Sequence, residues 1–250
     1  NIEFPFFRYY LEDKGKRPEP VYAFASGSDQ WQKSDVWPSD ELDYTKIYLS
    51  SDRGLSFKAP EDAESFSSYV SDPASPVPFM ADASSRDNTY MVENQSFASE
   101  RYDVLTFTGR ELDEVMKLQG PVKVDLNLSI STTDADIVVK LIDVHPDGYQ
   151  MLIRGDVFPV RYRNNISHPS PVIPGEIFNL QFTMNDVAHW LQPGHRLMVQ
   201  IQSSWFPLVN MNPQTYLENI YTASQEDYVK SEITVYHQKN IQSAIHLPLI

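Results

Sequence analysis

Six histidines (His145, His168, His189, His195, His237 and His246), scattered serines and a group of aspartates are the residues of this 250-residue chain best suited to chemistry. A serine hydrolase of the α/β type needs the pattern G-x-S-x-G, because its nucleophile sits on a strained strand-to-helix turn. None of the nine glycines makes that pattern. A Ser–His–Asp triad on another fold is not tied to fixed spacing. Six histidines and many serines give abundant chance combinations, however, and the sequence assigns no catalytic residue. Zero cysteines exclude a thiol nucleophile, a disulfide scaffold and Cys-ligated zinc or iron–sulfur centres.

Metal chemistry has one candidate. Asp134 and Asp136 lie two apart, followed by Asp143 and Asp147. Carboxylates suit calcium, but the EF-hand spacing is missing. Asp136 also directly precedes an apolar run. The reading preferred here is a partly buried Asp136 carboxylate paired with Arg154, Arg161 or Arg196, since an unpaired buried charge is costly. His189 and His195 lie six apart, which matches no zinc-helix motif, and both read as turn residues. His145, His168, His237 and His246 fall at predicted strand ends or in loops. No metal ligand, cofactor or cofactor-binding residue is assigned. Aromatic residues make up 12% of the chain, which raises sugar stacking on Trp31, Trp37, Trp190 or Trp205. Filling the core or anchoring loops is the other reading of the same four rings.

The elements that would position these groups are mostly strands. Val122, Val124, Leu126, Leu128 and Ile130 alternate with polar residues, a half-buried strand. The apolar run Ile137–Val144 reads as a central strand, the turn Pro146–Gly148 follows, and Tyr149–Arg163 returns as a long strand. Strands are also expected at Val21–Ala25, Lys46–Ser50, Phe178–Met184, Leu197–Ser203, Ile233–His237 and Ala244–Leu247. Asp29–Pro38 reads as a loop anchored by two tryptophans, and Pro60–Asn88 as a long irregular connection. Near the start, Phe6, Phe7, Tyr10 and Leu11 form a helical stripe behind Pro5, ended by Gly15 and the RPEP segment. That stripe fits a core helix of this domain or the last helix of a preceding one. Many strands, turns between them and almost no helix predict an all-β jelly-roll sandwich with a short N-terminal helix.

Composition bounds the partners. The net charge of −14 repels phosphate backbones, so nucleic acid is not an expected partner. No apolar run approaches the roughly 20 residues that span a bilayer. No signal-peptide pattern is present. The first residue is Asn1 and not Met, as expected of a cut or trimmed start.

Several ordered segments together resemble a known superfamily. They are Asn1–Leu11, YAFASGSDQWQKSDVWP (22–38), YMVENQSFASERYDVLTFTG (90–109), DADIVVKLIDVHPDG (134–148), YQMLIRGDVFPVRYRN (149–164) and GHRLMVQIQSSWFPLVNMNPQT (194–215). The chain resembles the C-terminal part of the X-prolyl dipeptidyl-peptidase, cocaine esterase and α-amino-acid ester hydrolase superfamily. Its strongest likeness is to α-amino-acid ester hydrolases and glutaryl-7-aminocephalosporanic acid acylase-like proteins. The resemblance implies a galactose-binding-domain-like jelly roll behind an α/β-hydrolase domain with a helical cap. Residues 1–17 would be the terminal helix and linker of that hydrolase domain, and 18–250 the sandwich. The family's catalytic motifs precede the matched region, so no catalytic position carries over.

The function implied is a non-catalytic module of a serine hydrolase that packs on the catalytic domain and helps shape its active-site surroundings. The chain alone is then not an enzyme, while its parent polypeptide is a dipeptidyl-peptidase, ester hydrolase or acylase. The stretches Pro60–Asn88 and Trp205–Thr215 are expected to face the other domains. The implied partners are the hydrolase and cap domains of the same polypeptide, with a homo-oligomer left open and neither nucleic acid nor membrane. Periplasm or secretion is slightly favoured over cytoplasm. A stand-alone carbohydrate-binding jelly roll is the alternative.

Overall fold

A computed structural model describes residues 2–40, 42–84 and 88–250. Asn1 and positions 85–87 of the expected long loop lie outside the described residues. One helix, α1 (Glu3–Glu12), precedes the strands, and a short second one, α2 (Ser96–Ser99), follows the fifth. Strands β1 (Val21–Ala25) and β2 (Gln30–Ser34) form a separate antiparallel hairpin. The remaining strands are β3 (Asp43–Leu49), β4 (Gly54–Ser56), β5 (Phe66–Ser71), β6 (Leu105–Gly109), β7 (Met116–Ile130) and β8 (Asp136–Val144). They continue with β9 (Gln150–Pro159), β10 (Phe178–Leu191), β11 (Arg196–Gln202), β12 (Ser231–Tyr236) and β13 (Ala244–Leu249).

These eleven strands share one hydrogen-bonded path, β5-β12-β7-β13-β3-β4-β6-β11-β8-β9, with β10 on the other edge of β7. Neighbours far apart in sequence, such as β5 with β12 and β13 with β3, show that long crossovers build the sheet. The path curls into a sandwich: buried residues from ten of these strands meet in one core, against which β9 packs its half-buried Ile153 and Phe158. In β7, Val122, Val124, Leu126 and Leu128 are buried while Lys123 is exposed, the alternation expected of a strand with one wet face. Fully burying one such leucine contributes about 1.5–3 kcal/mol. β8 is buried along nearly its whole length because both of its faces are covered: Ile137, Val139 and Leu141 face the main core, while Val138 and Lys140 on the other face meet Trp205.

The all-β expectation holds, and the differences are local. The stretch 29–38 is not purely a loop, since Gln30–Ser34 pairs with β1. Within 60–88, Phe66–Ser71 is an edge strand on β12. The long returning strand ends at Pro159 and gives way to a single 3-10 turn, Val160–Tyr162. Strands β4 and β6 were not anticipated. Among the described residues, no helix is long and apolar enough to cross a membrane.

Candidate interdomain interface and buried histidine cluster

Helix α1 forms for local reasons. Glu3 favours the positive end of the helix dipole and Pro5 lies in the first turn, where a missing N–H costs little. Asp13 adopts the left-handed conformation at the C-cap, and the Lys14 N–H reaches back to the Arg8 carbonyl at 3.1 Å. None of its residues is buried. Phe4, Phe7 and Leu11, at i, i+3 and i+7, are 70%, 53% and 76% exposed. The reading of this segment as a core helix of the sandwich is therefore overturned: its apolar stripe touches no core.

The hairpin that follows is also apolar outside. Phe24 faces Trp31 across the hairpin, both exposed, with ring centroids 5.5 Å apart. Its far end is fixed to the sandwich: Ser26 N–H donates to the Ala188 carbonyl and Trp190 N–H to that of Ser26. At Gly27 a Cβ would lie 2.3 Å from the Trp190 carbonyl oxygen, and φ is +78°, so glycine is required there.

The four tryptophans separate. Trp31 is exposed, Trp205 is buried, Trp37 donates its Nε1–H to Asp186, and Trp190 lies under the Lys117 ammonium at 4.5 Å. The exposed Trp31 and Phe24 rings are inclined at 63°, so the pair offers no flat plateau for a sugar ring. Parts of the stretches 60–84 and 205–215 pack on each other. Phe79 N–H donates to the Phe206 carbonyl, Phe206 N–H to that of Val77, and Phe79, Met80 and Trp205 share a small core with Val138. Phe206 and Leu208 remain exposed.

Below the hairpin lies a polar cluster. Ser26 Oγ is 2.8 Å from His189 Nδ1, and His189 Nε2 is 2.9 Å from Asp143 Oδ2. These are the residue types of a nucleophilic triad, but the ring nitrogens are used in the opposite sense from the serine-protease arrangement. The His189 ring is also fully buried in β10, so no substrate reaches it. The group acts as a strut joining β1, β8 and β10. His189 is accordingly a strand residue and not the turn residue expected, because its two partners satisfy both ring nitrogens inside the sheet. His195 does lie in the β10–β11 turn, with Nδ1 2.8 Å from Asp143 Oδ1. Burial acts to raise the Asp143 pKa, yet hydrogen bonds from His189 and His195 outweigh it and hold the carboxyl below its ordinary value. No spacing rule joins Ser26 to partners more than a hundred residues away, so the sequence could not reveal this group.

The four aspartates proposed for calcium do not converge. Asp143 faces histidines, and Asp147 accepts from the Tyr149 N–H within its turn. Asp134 accepts from Arg161 Nε at 2.9 Å and from Asn212 Nδ2 at 3.0 Å. Asp136 accepts from the same Asn212 amide at 2.9 Å. The expected arginine partner is thus real but belongs to Asp134, while Arg154 pairs with Asp156 and Arg196 with Glu111. Burial pushes the Asp136 carboxyl up to about 6, against the Asn212 hydrogen bond. Of the other histidines, His237 is buried between the hydroxyls of Ser65 and Ser67, and His246 Nε2 lies 3.8 Å from Asp125.

Comparison with known proteins agrees with this architecture. Residues 5–246 match the model of the X-Pro dipeptidyl-peptidase C-terminal non-catalytic domain. Cocaine esterase of Rhodococcus sp. (strain MB1 Bresler) is 32% identical over 210 residues, covering 78% of this chain and 36% of the esterase. The aminopeptidase of a marine sediment Thaumarchaeota archaeon superposes with a TM-score of 0.94 at 36% identity, over 100% of this chain and 44% of the other. An α-amino acid ester hydrolase gives 0.92 at 38% identity, over 98% and 44%. This chain therefore spans less than half the length of these relatives. The chain belongs to the X-Pro dipeptidyl-peptidase C-terminal non-catalytic domain family.

Proposed function

We propose that this chain is the C-terminal β-sandwich module of a serine hydrolase of ester-hydrolase, acylase or X-Pro dipeptidyl-peptidase type. In this reading residues 1–17 are the last helix and linker of a preceding α/β-hydrolase domain, and 18–250 are the module. Helix α1 then packs on the hydrolase and cap domains and holds the sandwich where it helps shape the active-site surroundings. The observation that carries the reading is α1 itself, which presents Phe4, Phe7 and Leu11 to solvent and buries nothing. Exposed apolar stripes of this kind mark contact surfaces. The Phe24–Trp31 pair of the next hairpin extends the apolar surface in sequence.

The test is complementation. The hydrolase-and-cap portion of the full polypeptide is produced separately and mixed with this chain. A stable complex and a rise in kcat/KM for ester or X-Pro amide substrates are expected. Changing Phe4, Phe7 and Leu11 together to Glu is expected to abolish both while the β-sheet spectrum of the chain stays intact. A hydrolase portion that is fully active alone and forms no complex would refute the proposal.

A further inference from the structure

Two neighbouring turns at one end of the sheet bring imidazoles to a single buried carboxylate. His145 directly follows β8, His195 directly precedes β11, and Asp143 lies between them on β8 opposite Leu197. The rings of His145 and His195 are 4.4 Å apart. His195 Nδ1 is 2.8 Å from Asp143 Oδ1, and His145 Nε2 is 3.8 Å from Oδ2. One ligand atom from each of the three residues falls within 4.8 Å of the other two.

The backbone holding these groups is pinned. His145 N–H donates to the Tyr149 carbonyl at 2.8 Å, and the His195 carbonyl accepts from Leu112 N–H at 2.9 Å. The Asp143 side chain is 1% exposed, whereas those of His195 and His145 are 15% and 31% exposed. The site thus has a buried carboxylate floor and an imidazole rim that an ion can reach.

We propose that Asp143, His145 and His195 bind a divalent transition-metal ion of the zinc type. Four-coordinate zinc with bonds of about 2.0–2.2 Å places neighbouring ligand atoms about 3.3 Å apart. The separations lie on either side of that value, 2.8 Å from His195 Nδ1 to Asp143 Oδ1 and 3.8 Å from His145 Nε2 to Oδ2, and all three ligand atoms fall within 4.8 Å of one another, so both imidazoles must turn toward a shared point to take up an ion. A donor set of two imidazoles and one carboxylate suits zinc better than calcium or magnesium, which favour oxygen. The carboxylate is also oriented from behind, as metal-bound carboxylates are: His189 Nε2 reaches Oδ2 at 2.9 Å, and Ser26 Oγ holds the other ring nitrogen, Nδ1, at 2.8 Å. Three protein ligands leave the fourth position to water. The ion would tie the β8–β9 turn to the β10–β11 turn.

The experiment uses the whole 250-residue chain, untagged and freed of metal with a chelator. Titration with Zn2+ alone is expected to show one equivalent bound, with a higher thermal midpoint. Co2+ in its place is expected to give the visible bands of a low-coordinate cobalt centre with nitrogen ligands. His145→Ala and His195→Ala are each expected to weaken zinc binding by more than the roughly 10–100-fold typical of losing an outer-shell partner. His168→Ala, far from the cluster in sequence, is expected to leave binding unchanged. Asp143→Asn strips buried His189 of its partner and risks unfolding, so the two rim histidines carry the test. Absence of stoichiometric zinc binding, or binding unaltered in both rim variants, would overturn the proposal.

Discussion

Lys140 places an ammonium in the middle of the buried strand β8, between Val139 and Leu141. It is fully buried in β8, donates to Gln95 Oε1 at 3.1 Å and lies over the Trp205 ring at 5.1 Å. Burial pushes its pKa down to about 7, with Glu93 opposing. In the unfolded chain a lysine titrates near about 10.4. Between these values the unfolded state binds more protons at this site, so the contribution of Lys140 to stability rises with pH from about 7 toward 10. The limiting slope is about 1.4 kcal/mol per pH unit. Lys140→Met is expected to remove this rise, as read from urea unfolding at a series of pH values between 6 and 9. It also strands Gln95 Oε1, at a pH-independent cost of about 1–3 kcal/mol, so the slope and not the absolute stability is diagnostic. A wild-type chain with no rise over that window would disprove the account. The sequence showed Lys140 and Asp143 only as interruptions of an apolar run, because their partners come from other segments. Likewise it gave an arginine to Asp136, whereas the structure gives Arg161 to Asp134. Asn212, which bridges both carboxylates, carried no mark of its role.

At the scale of elements, legibility followed how closely polarity tracked the pleat. β7 and β11 alternate or run apolar over their length, and their existence was plain from the sequence. β5 also has period two, but with the usual polarity inverted: Ser67, Tyr69 and Ser71 point inward while Phe66 and Val70 are exposed. The inward hydroxyls are satisfied, Ser67 by His237 and Tyr69 by Ser203, so a hydrophobicity pattern could not reveal the strand. β4 has three residues, too short for any periodicity. The packing of β9 rests on one small residue. A Cβ on Gly155 would lie 2.6 Å from Trp205 Cη2, because the indole lies against the strand beside Lys140. Gly155→Ala is expected to destabilise the fold by about 1–3 kcal/mol, the usual cost of overpacking. Trp205→Phe makes room, so the double variant is expected to lose clearly less than the sum of the single variants, as contacting residues do. Chemical denaturation of the four proteins measures this, and simple additivity would show that the indole does not set the size limit at 155.

For the whole molecule, the sandwich is self-sufficient and α1 is not. The core draws on nearly every strand, whereas the helix contributes no buried residue. A ten-residue helix is shorter than the roughly 12–15 residues at which isolated helices become even marginally stable in water. Its apolar stripe was evident from the sequence; what it packs on was not, since a stripe names no partner. The two parts should therefore differ in protection from hydrogen exchange. In the chain by itself, amides of β7 and β8 are expected to exchange only through global unfolding, while those of α1 exchange almost as fast as in a free peptide. Adding the separately produced hydrolase-and-cap portion is expected to slow exchange in α1 and leave β7 and β8 as they were. Protection of α1 equal to that of the sandwich in the chain alone would mean that the helix finds its apolar partner on the sandwich, and the assignment of residues 1–17 to a neighbouring domain would fall with it.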